Sequence, residues 1–96
     1  MKKIIPTQDP KYGINEYGQI CNLETGVPIP PDEPIFILRA KDILAEQTIG
    51  YYRTMISESN HIDAIEHRCA DFRRFRNNNP GKMRAPDTLY PYPNKP

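Results

Sequence analysis

The sequence predicts an α+β fold in which a small N-terminal antiparallel β-meander packs on a C-terminal antiparallel helical hairpin. Three observations predict it. Every proline lies at or before Pro34 or at or after Pro80, which leaves a long proline-free window where regular structure can run. Turn-forming residues crowd positions 11 to 29, between short runs of β-formers. From Leu44 onward the apolar period changes from the two-residue repeat of a strand to the 3.6-residue repeat of a helix.

A chain of 96 residues makes one domain with a small core. Its parts read as an N-terminal arm over 1–10, a single α+β domain over 11–79 and a proline-rich tail over 80–96. Within the domain, Gly13, Asn15-Glu16-Tyr17-Gly18, Asn22 and Glu24-Thr25-Gly26 punctuate the runs Tyr12 to Ile14, Gln19 to Leu23 and Val27 to Ile29. That arrangement fits two tight hairpins. Pro30-Pro31-Asp32-Glu33-Pro34 cannot enter a helix interior or a central strand, so it is a rigid connector. Ile35-Phe36-Ile37-Leu38 then reads as a strand buried on both faces, closed by Arg39.

In the first helix, Leu44, Ala45, Thr48, Ile49, Tyr52, Met55 and Ile56 recur on one face, with Asp42 or a neighbour as the cap. Ser57-Glu58-Ser59-Asn60 breaks it, and Ser59 or Asn60 is placed to cap a second helix. There Ile62, Ile65, Cys69 and Phe72 form a seam with spacings of three, four and three. Two helices joined by a short polar link pack as an antiparallel hairpin. Asn77-Asn78-Asn79-Pro80-Gly81 ends the second helix, its asparagines suited to a left-handed terminal residue. The Tyr90-Pro91-Tyr92-Pro93 stretch favours an extended, polyproline-like backbone.

A net charge of +1 with 26% charged residues does not fit a protein that coats nucleic acid. No apolar run approaches the length of a membrane span, and two cysteines without a secretory signal point to reduced thiols in a cytoplasm. Zinc is disfavoured, because His67 and Cys69 diverge on a helix and no paired ligand set accompanies them. Ser57 and Ser59 read as capping residues, and Cys69 as a seam residue of raised pKa. Asp32 and Glu33 are adjacent and would diverge if extended, so they do not make a hydrolytic carboxylate pair. No glycine-rich phosphate loop follows a strand into a helix. The expectation is a protein without catalytic residues, metal or cofactor.

Two basic sets remain. Arg39 and Lys41 leave the expected strand just before the first helix, whose exposed side carries Tyr51 and Arg53. Guanidinium charge beside a stacking phenol suits a nucleobase-phosphate ligand. A second patch holds Arg73 and Arg76, with Arg68, Arg74, Lys82 and Arg84 nearby and Phe75 as an exposed aromatic. The competing explanations are salt bridges of Arg39 or Lys41 with Asp32, Glu33 or Asp42, and cations that complement the dipole at a helix C-terminus.

The string from Pro31 to Asp42, Pro-Asp-Glu-Pro-Ile-Phe-Ile-Leu-Arg-Ala-Lys-Asp, resembles that of a family of small bacteriophage and bacterial proteins of unassigned function. Those carry a similar Asp-Glu-Pro, apolar run, Leu-Arg-Ala and Asp ahead of a helix pair. The resemblance spans roughly residues 11 to 88 in layout. It implies a phage or prophage setting, hence a host-cell cytoplasm, and no known chemistry. Tyr12 to Gly26 also looks like the hairpin module that accompanies homing endonucleases, although those residues are what two successive hairpin turns demand by themselves.

The functional expectation is a non-enzymatic, phage-type accessory protein. It assembles as a homo-oligomer through its helices and binds an anionic ligand, for which a nucleotide-derived signal is one candidate, at Arg39, Lys41, Tyr51 and Arg53, with Arg73 and Arg76 as a second patch, to counter host defence. The alternative is an inhibitor or adaptor that engages a host protein with its helical hairpin and Tyr-Pro tail.

Overall fold

The computed structural model describes residues 3–89, so the Tyr90 to Pro93 stretch lies outside the described residues. The chain is α+β: a three-stranded antiparallel sheet followed by two helices. It divides into two compact units, Met1–Phe36 and Ile37–Pro96.

The first unit holds β1 (Ile5–Pro6), β2 (Tyr12–Ile14) and β3 (Ile20–Asn22), in that spatial order. Gly13 lies opposite both Pro6 and Cys21 and is the pivot of the sheet. Its missing side chain is a requirement, since a Cβ there would stand 2.6 Å from Ile4 Cγ2 and 2.9 Å from both the Ile5 carbonyl oxygen and Leu23 Cδ1. Cys21 is fully buried beside it, with Sγ 3.6 Å from the Gly13 carbonyl oxygen.

The expected hairpin from β2 to β3 is present, and side-chain chemistry fixes its turn. Asn15 Oδ1 accepts the backbone N–H groups of Tyr17 and Gln19, each at 2.9 Å, and Gly18 takes φ 78°. The next loop repeats the device: Asn22 Oδ1 accepts from Glu24 and Thr25 at 2.9 and 2.8 Å, and Gly26 also takes φ 78°. Asparagine is suited to this because its side-chain carbonyl satisfies N–H groups that a tight turn would leave unpaired.

The third strand differs from expectation. It comes from Ile5–Pro6, inside the stretch read as an N-terminal arm, whereas Val27 to Ile29 contributes only an isolated bridge from Pro28 to Cys21. Bonds from Asn22 N–H to the Val27 carbonyl and from Ile29 N–H to the Ile20 carbonyl, both 2.8 Å, nonetheless occupy the outer edge of β3. On the other edge, Pro6 has no N–H to offer, which discourages addition of another strand.

Ile35 to Leu38 is not a strand. The segment is irregular, makes no backbone hydrogen bond among the described residues, and leaves Ile35, Phe36 and Ile37 50%, 73% and 71% exposed. Its β-propensity has no neighbouring strand to satisfy it, because one edge of the sheet is occupied and the other carries a proline.

The second unit holds α1 (Ala45–Thr54) and α2 (Ser59–Asn78), followed by a 3₁₀ turn at Pro80–Lys82. Ala45 and Cys69 are its buried apolar residues, and Ile49, Ile56, Ile62, Ile65 and Phe72 are half-buried around them. The α2 seam is as expected. The α1 face is narrower than expected, since Leu44, Thr48, Tyr52 and Met55 are exposed. Phe75, read as exposed, is half-buried.

The helix ends also differ in detail. Glu58, not Ser59 or Asn60, is the N-cap of α2; it adopts an extended backbone and makes no side-chain cap bond. At the other end Asn79 is not left-handed (φ −137°, ψ 53°). The following Pro80 disfavours helical backbone at Asn79, and the residue closes the helix by directing both its N–H and Nδ2 to the Phe75 carbonyl, at 2.9 and 3.0 Å.

Candidate functional site

The chain turns into α1 through a corner built on Asp42. Asp42 N–H donates to the Arg39 carbonyl at 3.0 Å, Leu44 N–H to Asp42 Oδ1 at 2.8 Å, and Ala45 N–H to the Asp42 carbonyl at 3.1 Å. Asp42 therefore prepares the helix start as expected, although Leu44 holds the formal N-cap position. The corner is strapped from the far end of the chain. Arg84 N–H donates to the Lys41 carbonyl at 2.7 Å and the Arg84 carbonyl accepts from Ile43 N–H at 2.9 Å, a parallel bridge between Asp42 and Arg84.

This corner carries both Arg39 and Lys41. Arg39 is exposed and its guanidinium has no hydrogen bond or ion pair among the described residues. Lys41 Nζ stands 3.9 Å from Asp87, whose side chain is 79% exposed. The salt-bridge partners considered for these two residues, Asp32, Glu33 and Asp42, do not pair with either side chain among the described residues.

Tyr51 and Arg53 are not brought together. Two residues apart on a helix, they point about 200° from each other. Arg53 turns toward α2 and pairs with Glu66 at 3.4 Å, while Tyr51 stands 69% exposed on the outer side of α1. The second patch is likewise engaged. Arg73 Nε donates to Glu46 Oε2 at 3.0 Å, and Arg76 Nη1 donates to Glu46 Oε1. Arg68 and Arg74 share Asp71, at 3.5 and 2.6 Å, and Arg84 binds the carbonyls of Gly81 and Met83.

Glu46 was not singled out in the sequence, because its partners lie 27 and 30 positions away and become neighbours only once the hairpin register is set. The Arg84 strap was equally hidden: it acts through its backbone, which any residue but proline offers.

Burial raises the Cys69 thiol pKa, opposed by the Arg73 charge, and so disfavours the reactive thiolate. Asp71 is held below the usual carboxylate range, first by the hydrogen bond from Arg74 and then by the Arg74 and Arg68 charges. Among the described residues no three His, Cys, Asp or Glu side chains gather as a metal site, and no helix is long and apolar enough to cross a membrane.

A depression of about 240 Å³ in the first unit is lined by residues including Lys3, Asn15, Tyr17, Gln19 and Pro28. Asn15 Nδ2 donates there to Gln19 Oε1 at 2.9 Å, and the depression holds none of the six expected binding residues.

Comparison with known protein families, curated proteins and solved structures finds no significant match.

Proposed function

We propose that this is a non-enzymatic binding protein that works as a homo-oligomer and holds an anionic, nucleotide-type ligand at the Arg39–Lys41 corner. The observation that carries this reading is selective. Arg39 is the one arginine among the described residues whose side chain has no partner, whereas Arg53, Arg68, Arg73, Arg74, Arg76 and Arg84 are all engaged within the chain. A guanidinium presents five N–H donors in a rigid fork matched to phosphate, and Lys41 beside it adds charge on a flexible stem. Assembly would supply the aromatic and apolar walls that the corner lacks in one chain. The likeness of the Pro31 to Asp42 string to small phage proteins supports an accessory role, in which capture of a nucleotide-derived signal would counter host defence.

The test is a thermal-shift series with cyclic and linear nucleotides on the wild-type protein and on Arg39→Ala. A shift present in the first and lost in the second supports the site; no shift at millimolar ligand rejects it.

A second reading, a protein-binding adaptor, is favoured by the outer face of α1. Leu44, Tyr51 and Met55 fall within about 40° of one another around the helix axis and are 42%, 69% and 62% exposed. A stoichiometric protein recovered from host lysate, together with no nucleotide shift, would favour it.

A further inference from the structure

The segment from Asp32 to Lys41 presents a strand-forming sequence that its own chain leaves without a strand to pair with. Ile35 to Leu38 makes no backbone hydrogen bond among the described residues, and Ile35, Phe36 and Ile37 are exposed while Leu38 is half-buried. A run that is apolar on both faces suits a strand covered on both sides. The sheet of the first unit offers it no place, with Val27 to Ile29 along one edge and Pro6 in the other.

We infer that this segment is an assembly strand, and that it pairs antiparallel with the same segment of a second copy about a two-fold axis through Phe36. This rests on the homo-oligomeric part of the proposed function. The charge order selects the partner. Asp32 and Glu33 precede the apolar run and Arg39 and Lys41 follow it, so an antiparallel copy brings acid against base at both ends. A parallel copy would bring acid against acid and base against base.

The register follows from geometry. Paired residues in a sheet share a face, and neighbours along a strand do not. A two-fold axis normal to the sheet therefore has to pass opposite a residue, not between two. With Phe36 on the axis, Ile35 faces Ile37 of the second copy, Pro34 faces Leu38, and Glu33 faces Arg39. Antiparallel pairs alternate between hydrogen-bonded and non-bonded. Pro34 has no N–H and must occupy a non-bonded pair, so Phe36 and Leu38 do too. The hydrogen bonds then fall to Ile35 and Ile37, whose N–H and carbonyl groups are free among the described residues.

The chain already limits this ladder at both ends. Glu33 N–H is used by the Pro30 carbonyl at 3.1 Å, and the Arg39 carbonyl by Asp42 N–H at 3.0 Å. Past Ile35 and Ile37 the contact is between side chains, with Glu33 meeting Arg39 as a cross-strand ion pair. A carboxylate bound to one edge of the guanidinium leaves its other N–H groups for a ligand, so the same residue joins assembly to binding.

Crosslinking tests the register. In a non-bonded antiparallel pair the Cα atoms approach to about 4.5 Å, within the range a disulfide spans. Phe36→Cys should give a disulfide-linked dimer on mild oxidation at a rate about tenfold above Ile35→Cys or Ile37→Cys, whose like positions are offset across the axis. Cys21 and Cys69 are buried and do not compete. Native mass spectrometry of the full chain should show a dimer or higher even-numbered assembly. Glu33→Arg should lower its stoichiometry, and the swap Glu33→Arg with Arg39→Glu should restore it.

A monomer in native spectra overturns the inference, and so does an oligomer in which Phe36→Cys crosslinks no faster than its neighbours, which would move assembly to another surface. These outcomes are separable from the ligand reading. A monomer that still shows an Arg39-dependent nucleotide shift loses the strand pairing and keeps the ligand site, and a Phe36-linked dimer with no shift does the reverse.

Discussion

Glu46, in the first turn of α1, receives Arg76 from the last turn of α2, so one carboxylate closes the open end of the hairpin. Arg73 binds its other oxygen at 3.0 Å, and Arg53 with Glu66 ties the connected end at 3.4 Å. These two ties fix the helices as antiparallel. They also place acid at a helix start and base at a helix end, as the helix dipole favours.

Removal of the clasp should loosen the hairpin. The Glu46 side chain is 21% exposed but both arginines are about half exposed, so screening limits the interaction to about 1 kcal/mol. Glu46→Gln should therefore lower the melting temperature by about 4–8 °C. Arg76→Ala in the Glu46→Gln background should cost much less than it does alone. An additive double-mutant cycle would mean that the two residues do not interact energetically.

Arg39→Ala should leave thermal stability within about 0.5 kcal/mol of wild type, because the side chain has no partner to lose. Chemical denaturation of the ligand-free protein at a concentration too low for assembly gives the comparison. A large loss there would assign Arg39 a structural role within the chain and remove the reason for treating it as available.

Two glycines of the first unit separate steric crowding from backbone conformation. A Cβ at Gly13 would collide with the Ile5 backbone, so Gly13→Ala should cost about 1–3 kcal/mol through overpacking. Gly18 has open space around it and φ 78°, so Gly18→Ala should cost about 1 kcal/mol through backbone strain alone. Gly18→Asn should recover part of that loss, whereas Gly13→Asn should be worse than Gly13→Ala. Urea midpoints for the four variants read out the order.

How much of this was legible in the sequence depends on how local each determinant is. The α2 seam and the hairpin over Asn15 to Gly18 are local, and both were readable from spacing and turn chemistry. β1 has only two residues, one of them proline, and exists because Gly13 lets Ile4 and Ile5 approach. No window of sequence carries that information. Ile35 to Leu38 departs from the expected strand for a different reason: composition reports that a segment wants burial, but not whether its own chain provides it. The candidate site divides along the same line. Arg39 and Lys41 are separated by one residue and share one turn, whereas the carboxylate partners of Arg53, Arg73 and Arg76 stand 13, 27 and 30 positions away and are set only by the hairpin.

Acid and alkaline pH should act on different residues of α2. The folded-state pKa of Asp71 is lowered by its hydrogen bond from Arg74. Its contribution is present above the unfolded carboxylate pKa and is lost as pH falls through the folded value. The folded-state pKa of Cys69 is raised by burial. Its contribution is complete below the unfolded thiol pKa and is lost as pH rises through the folded one. Melting temperature should therefore fall on both sides. Asp71→Asn should flatten the acid limb only, and Cys69→Ala the alkaline limb only. Reciprocal effects would refute the assignment.

The strap across the α1 corner gives a prediction about local opening. Asp42 accepts from Leu44 N–H through its side chain, and Lys41 and Ile43 bond the Arg84 backbone on either side of it, so two devices hold the run from Lys41 to Leu44. Asp42→Ala removes only the first and should cost about 1 kcal/mol, as loss of a helix-capping side chain does. Arg84→Pro removes the N–H that donates to the Lys41 carbonyl at 2.7 Å while leaving the Asp42 side chain in place. Amide hydrogen exchange distinguishes the two effects. In Asp42→Ala the Leu44 amide should exchange faster while Ile43 and Arg84 stay protected, and in Arg84→Pro the Ile43 amide should open while Leu44 stays protected. If Ile43 remained protected in Arg84→Pro, its bond to the carbonyl of residue 84 would hold the strap without the Arg84 N–H, and the two bonds of the bridge would be independent of each other.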